Sequence, residues 1–145
     1  FCSRVPKPLY EVQKHYGDKA VVAFKNFPLS FHKQAMNAAE AFLCAGAQGK
    51  GWEMHDKLFA AQKELADDKY ALWAGELGLK TDVFTKCMDG DKFKAQIEAE
   101  MAEGRKAGVR GTPSIYINGR KFSSPTGYNL KAFTSIIDKE ILGKK

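Results

Sequence analysis

Residues 108–119 read Gly-Val-Arg-Gly-Thr-Pro-Ser-Ile-Tyr-Ile-Asn-Gly. The apolar run Ser114-Ile115-Tyr116-Ile117 ends on Asn118-Gly119, a pair suited to the positive φ angles of a type I′ turn. The stretch therefore predicts a β-hairpin returning through Arg120-Lys121-Phe122. Pro113 stands just before the first strand, where a missing N–H costs no ladder bond. On these residues alone it reads as a trans proline that stops the preceding loop, since only about 5–6% of X–Pro bonds are cis.

Upstream of the hairpin, from Phe31 to about Gly108, the apolar period is helical throughout. Met36, Ala39, Leu43 and Cys44 stripe an alanine-rich segment. Trp52, His55, Leu58 and Phe59 mark a second helix, and Tyr70, Trp73 and Leu77 a third. Val83, Phe84 and Cys87 mark a fourth, and Phe93, Ile97, Met101 and Gly104 a fifth. Trp52 and Trp73, with the phenylalanines, read as core. Downstream, Leu130, Phe133, Ile136, Ile137 and Ile141 predict a closing amphipathic helix.

At the other end, Val5, Leu9, Val12 and Tyr16 form a helical stripe closed by Gly17, with Pro6 and Pro8 tolerable in a first turn. Ala20-Val21-Val22-Ala23-Phe24 is apolar on both faces and predicts a strand buried in a parallel sheet. The order is helix, strand, helical block, hairpin, helix. That is an α/β architecture: a single domain over 1–145 with a helical insertion over about 31–108. A right-handed βαβ unit needs a further strand ahead of the first helix, which falls upstream of Phe1. The expectation is that residues 1–145 do not complete the sheet alone.

At 145 residues, 44% hydrophobic and 28% charged, the chain can bury an ordinary globular core. No apolar run approaches the roughly 20 residues that cross a bilayer, so no membrane span is expected. The net charge is +6. The lysines are scattered singly among acids, apart from a short tail at Gly143-Lys144-Lys145, so they read as solvated helix faces and not as a nucleic-acid surface. Cys2, Cys44 and Cys87 make no CxxC within the chain, and His15, His32 and His55 stand at no metal-ligand spacing to them. No metal site is expected.

Four stretches together resemble the DsbA-like thioredoxin-fold proteins, the thiol:disulfide oxidoreductases of bacterial envelopes. They are Gly108–Gly119, Lys25-Asn26-Phe27-Pro28-Leu29, the segment from Gln48 to Phe59, and the opening Phe1-Cys2-Ser3-Arg4. The opening looks like the end of a Cys-Pro-Phe-Cys motif with the helix behind it. The resemblance implies a thioredoxin fold with an inserted helical subdomain, its first central strand absent from this chain. It makes Cys2 the second, resolving cysteine of a CxxC pair whose nucleophilic partner would stand three positions earlier. It also implies that Thr112-Pro113 is cis, faces the pair and holds substrate. Cysteine-containing protein substrates, a redox partner protein, no cofactor and a periplasmic or extracytoplasmic location follow from the same resemblance. Without the first cysteine, residues 1–145 alone are expected to be inactive.

The chemistry suits those residue types. A cysteine at a helix N-terminus has its thiolate stabilised by free N–H groups and the helix dipole, and a second one a turn later resolves the mixed disulfide. Beside Pro113, the resemblance implies, the N–H and carbonyl of Thr112 would be free to pair with an extended substrate chain. Two other readings stay open: a redox-inactive peptide-binding module of the same fold, and a relative of the glutathione-dependent isomerases and transferases. Cys44 and Cys87 read either as small buried hydrophobes or as a structural disulfide in an oxidising compartment. His32 and His55 are assigned no role.

Overall fold

The computed structural model describes residues 1–141 and 143; Lys144 and Lys145, the charged part of the basic tail, lie outside the described residues. In chain order the helices are α1 (Pro6–Tyr16), α2 (Ala35–Gly46), α3 (Gly51–Ala60), α4 (Asp67–Glu76), α5 (Thr81–Asp89), α6 (Lys94–Lys106) and α7 (Leu130–Ile141). The strands β1 (Tyr116–Ile117) and β2 (Arg120–Lys121) lie between α6 and α7. The chain divides into two compact units. One comprises Phe1–Phe24 and the residues from Gly111 onward, the other Lys25–Arg110.

In the first unit a 3-10 turn at Cys2–Arg4 precedes α1. Pro6 and Pro8 fall in the first turn, where their missing N–H groups forfeit no intrahelical bond. Val12 and Tyr16 bury the α1 stripe in a core with Phe122, Ala132, Phe133 and Ile137. The Tyr16 hydroxyl donates to Asp138 Oδ1 at 2.6 Å, joining α1 to α7. Asn129 caps α7, its Oδ1 accepting the Ala132 N–H at 2.9 Å.

β1 and β2 pair antiparallel with Tyr116 opposite Lys121 and Ile117 opposite Arg120. Asn118 (φ 49°) and Gly119 (φ 80°) both take the left-handed region that a type I′ turn demands. The strands are shorter than the apolar runs predict, although the Phe122 N–H still donates to the Ile115 carbonyl at 2.7 Å. Phe122 then turns inward and stacks on Phe133, ring centroids 4.4 Å apart.

Ala20–Phe24 does not form the buried strand its composition predicts. The β1–β2 hairpin is the whole sheet among the described residues, and Val21 is 87% exposed. A run apolar on both faces becomes a buried strand only where neighbouring strands take up its backbone groups. The ladder present here belongs to the hairpin.

The second unit is all helical. Cys44, Met54, Tyr70, Trp73 and Phe84 centre its core, and an aromatic buried to that degree contributes roughly 2–3 kcal/mol by removal from water. A Cβ on Gly51 would lie 3.2 Å from the Gly46 Cα, so α2 and α3 meet backbone to backbone. Gln48 binds Lys80 as a peptide group would: its Oε1 accepts the Lys80 N–H at 2.9 Å and its Nε2 donates to the Lys80 carbonyl at 3.2 Å. That pairing ties the α2–α3 corner to the start of α5. Trp52, expected in the core, is 42% exposed; its ring lies edge-on to His55, centroids 5.1 Å apart.

α6 ends in a Schellman motif. The Val109 N–H donates to the Gly104 carbonyl at 2.9 Å and the Gly108 N–H to the Arg105 carbonyl at 3.1 Å. Gly108 takes φ 85° between them, a conformation in which any other residue is strained.

Candidate active site

Cys2 lies in the 3-10 turn ahead of α1, half-buried, with a free thiol. Its carbonyl accepts the Val5 N–H at 3.0 Å, and the Phe1 carbonyl accepts the Arg4 N–H at 3.1 Å. The Arg4 and Val5 amides are thus committed to the turn. Pro6 and Pro8 contribute no donors, which thins the set of free N–H groups at the start of α1. The Arg4 guanidinium lies 5.6 Å over the Phe1 ring, placing a fixed positive charge two residues on from the thiol.

Thr112-Pro113 belongs to the same unit, and its peptide bond is cis. That is the isomer the resemblance to the DsbA-like proteins implies, whereas the residues taken alone favour trans. Thr112 and Pro113 are both half-buried. Ser114 steadies the loop from one side, its Oγ donating to the Gly111 carbonyl at 2.7 Å. Neither the N–H nor the carbonyl of Thr112 takes part in a hydrogen bond among the described residues. They are free to receive a partner backbone.

Cys44 on α2 and Cys87 on α5 form a disulfide with Cα atoms 5.9 Å apart. Both sulfurs are buried in the helical unit, so this bridge is a structural tie, and of the two open readings for these cysteines the bonded one applies. His55 is 5% exposed, ringed by Phe42, Trp52 and Phe59, with its Nδ1 3.1 Å from Asp56 Oδ1. That is the environment of a packed residue. His32 lies against Phe31, centroids 4.5 Å apart. Among the described residues no group of three His, Cys, Asp or Glu side chains is arranged to hold a metal ion.

One polar residue of note escapes a stripe-based reading. Glu40 on α2 is only 3% exposed. Its position four after Met36 and four before Cys44 is the available signal, an acid on the apolar face.

The family described as "Thioredoxin" matches residues 1–139. Among curated proteins, the Na(+)/H(+) antiporter NhaA 3 of Salinispora tropica is 30% identical over 138 residues, which is 94% of this chain and 21% of that protein. NhaA 1 of Salinispora arenicola is 32% identical over 123 residues, 84% of this chain and 19% of that one. NhaA 1 of Mycolicibacterium gilvum is 29% identical over 128 residues, 86% and 21%. The chain thus spans about a fifth of the length of the curated relatives it matches. Among solved structures, the oxidoreductase DsbA of Xylella fastidiosa superposes with a TM-score of 0.68 at 22% identity, covering 98% of this chain and 78% of that one. The fold is therefore that of the DsbA-like proteins, a thioredoxin fold with an inserted helical subdomain.

Proposed function

This chain belongs to the thioredoxin family, and from that premise we propose that it serves as a thiol–disulfide oxidoreductase domain in which Cys2 is the resolving cysteine of a CxxC pair. One observation carries the reading: the thiol left free by the Cys44–Cys87 bridge is the half-buried Cys2 at the approach to α1. It lies in the same compact unit as a Thr112 peptide whose hydrogen-bonding groups are open.

In the proposed cycle, a cysteine three positions before Cys2 attacks a substrate disulfide. The substrate S–S bond breaks, one sulfur leaves as thiolate, and a mixed disulfide forms. The Cys2 thiolate then attacks the partner-cysteine sulfur. The S–S bond of the CxxC pair forms, the second substrate sulfur leaves as thiolate, and two electrons have passed from the pair to the substrate. Run in reverse, the same exchange oxidises a substrate dithiol. A redox partner protein with its own dithiol or disulfide resets the pair. An extended substrate segment would pair with the Thr112 N–H and carbonyl by strand addition. No cofactor enters these steps. The buried Cys44–Cys87 bridge supports an oxidising, extracytoplasmic compartment, where structural disulfides persist. The antiport activity named in the curated relatives is not assigned to this chain, whose match covers about a fifth of them.

The test uses a polypeptide in which a cysteine stands three positions before Cys2. Replacing Cys2 by Ser should stall the cycle at the mixed disulfide, giving a substrate adduct on non-reducing gels that dissolves in dithiothreitol. Wild-type turnover by Cys2→Ser would overturn the assignment. A second reading has the open N–H and carbonyl of Thr112 in its favour. If the position three before Cys2 holds no cysteine, the domain is a peptide-binding module centred on Thr112.

A further inference from the structure

Between α2, α4 and α5 the helical unit holds a cleft of about 260 Å³. Four carboxylates line it: Glu40, Asp67, Asp89 and Asp91. The last three are exposed and make an acidic rim, while Glu40 is 3% exposed. Glu40 Oε2 is buried with no hydrogen-bond partner. Tyr70 and Phe84, each 1% exposed, supply apolar and aromatic wall.

A carboxyl group removed from water without a partner is costly, and natural interiors pair such groups or keep them protonated. Burial and the neighbouring Asp91 charge push the Glu40 carboxyl above its usual range, with Lys94 opposing them. An isolated structural acid would be expected to find a donor within its own unit. Glu40 instead lines a cleft with three further acids, on a chain whose net charge is +6. The cleft therefore concentrates negative potential against the sign of the whole molecule.

We propose that this cleft is a receptor for an aliphatic ammonium group. Its N–H donors would satisfy the Glu40 carboxylate, the acidic rim would draw it in, and its methylenes would lie against Tyr70 and Phe84. Either carboxylate oxygen can meet the ammonium, because the terminal torsion of a glutamate is broad. A metal ion fits less well: the described residues hold no group of three ligating side chains in reach of one ion. The apolar wall suits an alkyl chain and contributes nothing to an ion. The ammonium could belong to a free diamine or to a lysine side chain of another polypeptide.

Isotope-labelled protein titrated at constant ionic strength with cadaverine, with Nα-acetyl-lysine N-methylamide and with its Nε-acetylated analogue separates these sources. Saturable shifts of α2, α4 and α5 amides with both amines, absent with the acetylated analogue, support a free amine as occupant. A response to the lysine derivative alone supports a polypeptide side chain. In either case Glu40→Gln should weaken binding about tenfold or more, as loss of a charge-assisted hydrogen bond does. The Glu40 carboxyl ¹³C titration in unmutated protein should move to lower pH when the amine is bound, a readout independent of how the variant folds. No saturable shift with either amine, equal binding by Glu40→Gln, equal binding of the acetylated analogue, or an unmoved Glu40 titration each overturns the proposal.

Discussion

A single carboxylate oxygen of Glu100 accepts two hydrogen bonds from Asn26, one from its backbone N–H at 2.6 Å and one from its side-chain Nδ2 at 3.0 Å. Asn26 is 4% exposed, so neither donor has ready access to water. Next to it, Lys25 pairs with Glu103 at 2.9 Å on the surface. Glu100 thereby fixes the stretch Lys25–Phe27 onto α6.

Removing that acceptor leaves two buried donors unsatisfied. Glu100→Ala should lower unfolding free energy by about 2 kcal/mol, whereas Glu100→Gln, which keeps an acceptor oxygen, should lose about half as much. Urea denaturation of the two variants measures the difference. Equal stability of Glu100→Ala and the parent would mean that water replaces the carboxylate.

Phe27 presses on the same helix. A Cβ built on Gly104 would lie 2.9 Å from Cδ2 and Cε2 of the Phe27 ring. Alanine gains about 1 kcal/mol over glycine in a helix interior, but forcing a methyl into that contact costs roughly 1–3 kcal/mol. Gly104→Ala should therefore be neutral or destabilising in the parent and stabilising by about 1 kcal/mol in a Phe27→Ala background. The same sign in both backgrounds would show that the ring does not exclude the methyl.

The Cys44–Cys87 bridge spans a sequence separation of 43 residues. Closing a loop of that size restricts the unfolded chain by about 4 kcal/mol in the chain-entropy account. Replacing both cysteines by alanine should destabilise the helical unit toward that value and raise the denaturant m-value, because the unlinked chain expands further. A loss below about 1 kcal/mol would show that the reduced helices stay associated in the unfolded state.

The parts of this fold that were legible in the sequence are those whose signals are local. The stripes of α2 to α7 repeat with the helical period, and Asn118-Gly119 dictates its own turn. Ala20–Phe24 has the composition of a buried strand and forms none, because a buried strand depends on neighbours that its own composition does not supply. Trp52 shares the helical period of the core rings yet is 42% exposed, because period alone does not separate a core ring from one at the core's margin. Cys2, the Thr112-Pro113 loop and the cis isomer of Pro113 stand out through resemblance to a known motif, while the Cys44–Cys87 pairing depends on tertiary geometry. Glu40 was hidden among the apolar residues of its own stripe, since residue type gives no warning of which acid will be buried.

Two tyrosines make stability depend on alkaline pH. Tyr16 is pushed up to about 12 by burial first, and then by its hydrogen bond to Asp138 and that carboxylate's charge. Tyr70 is pushed up to about 12 by burial and by the charge of Asp67. Both start from an ordinary value of 10.0. Between those values the folded protein holds two protons that the unfolded chain has released, so unfolding free energy falls as pH rises. Their contribution is complete below pH 10 and lost on passing pH 12. Lys25, held protonated by Glu103, slopes the same way, so the tyrosine part is isolated by difference. Tyr16→Phe/Tyr70→Phe protein, unfolded in urea at a series of pH values, should show a shallower decline than the parent over that window. Absorbance at 295 nm should show a smaller rise on ionisation at pH 11 in the folded parent than in the urea-unfolded chain, the difference matching Tyr16 and Tyr70. Parallel declines in parent and double variant would mean that neither hydroxyl is held protonated by the fold.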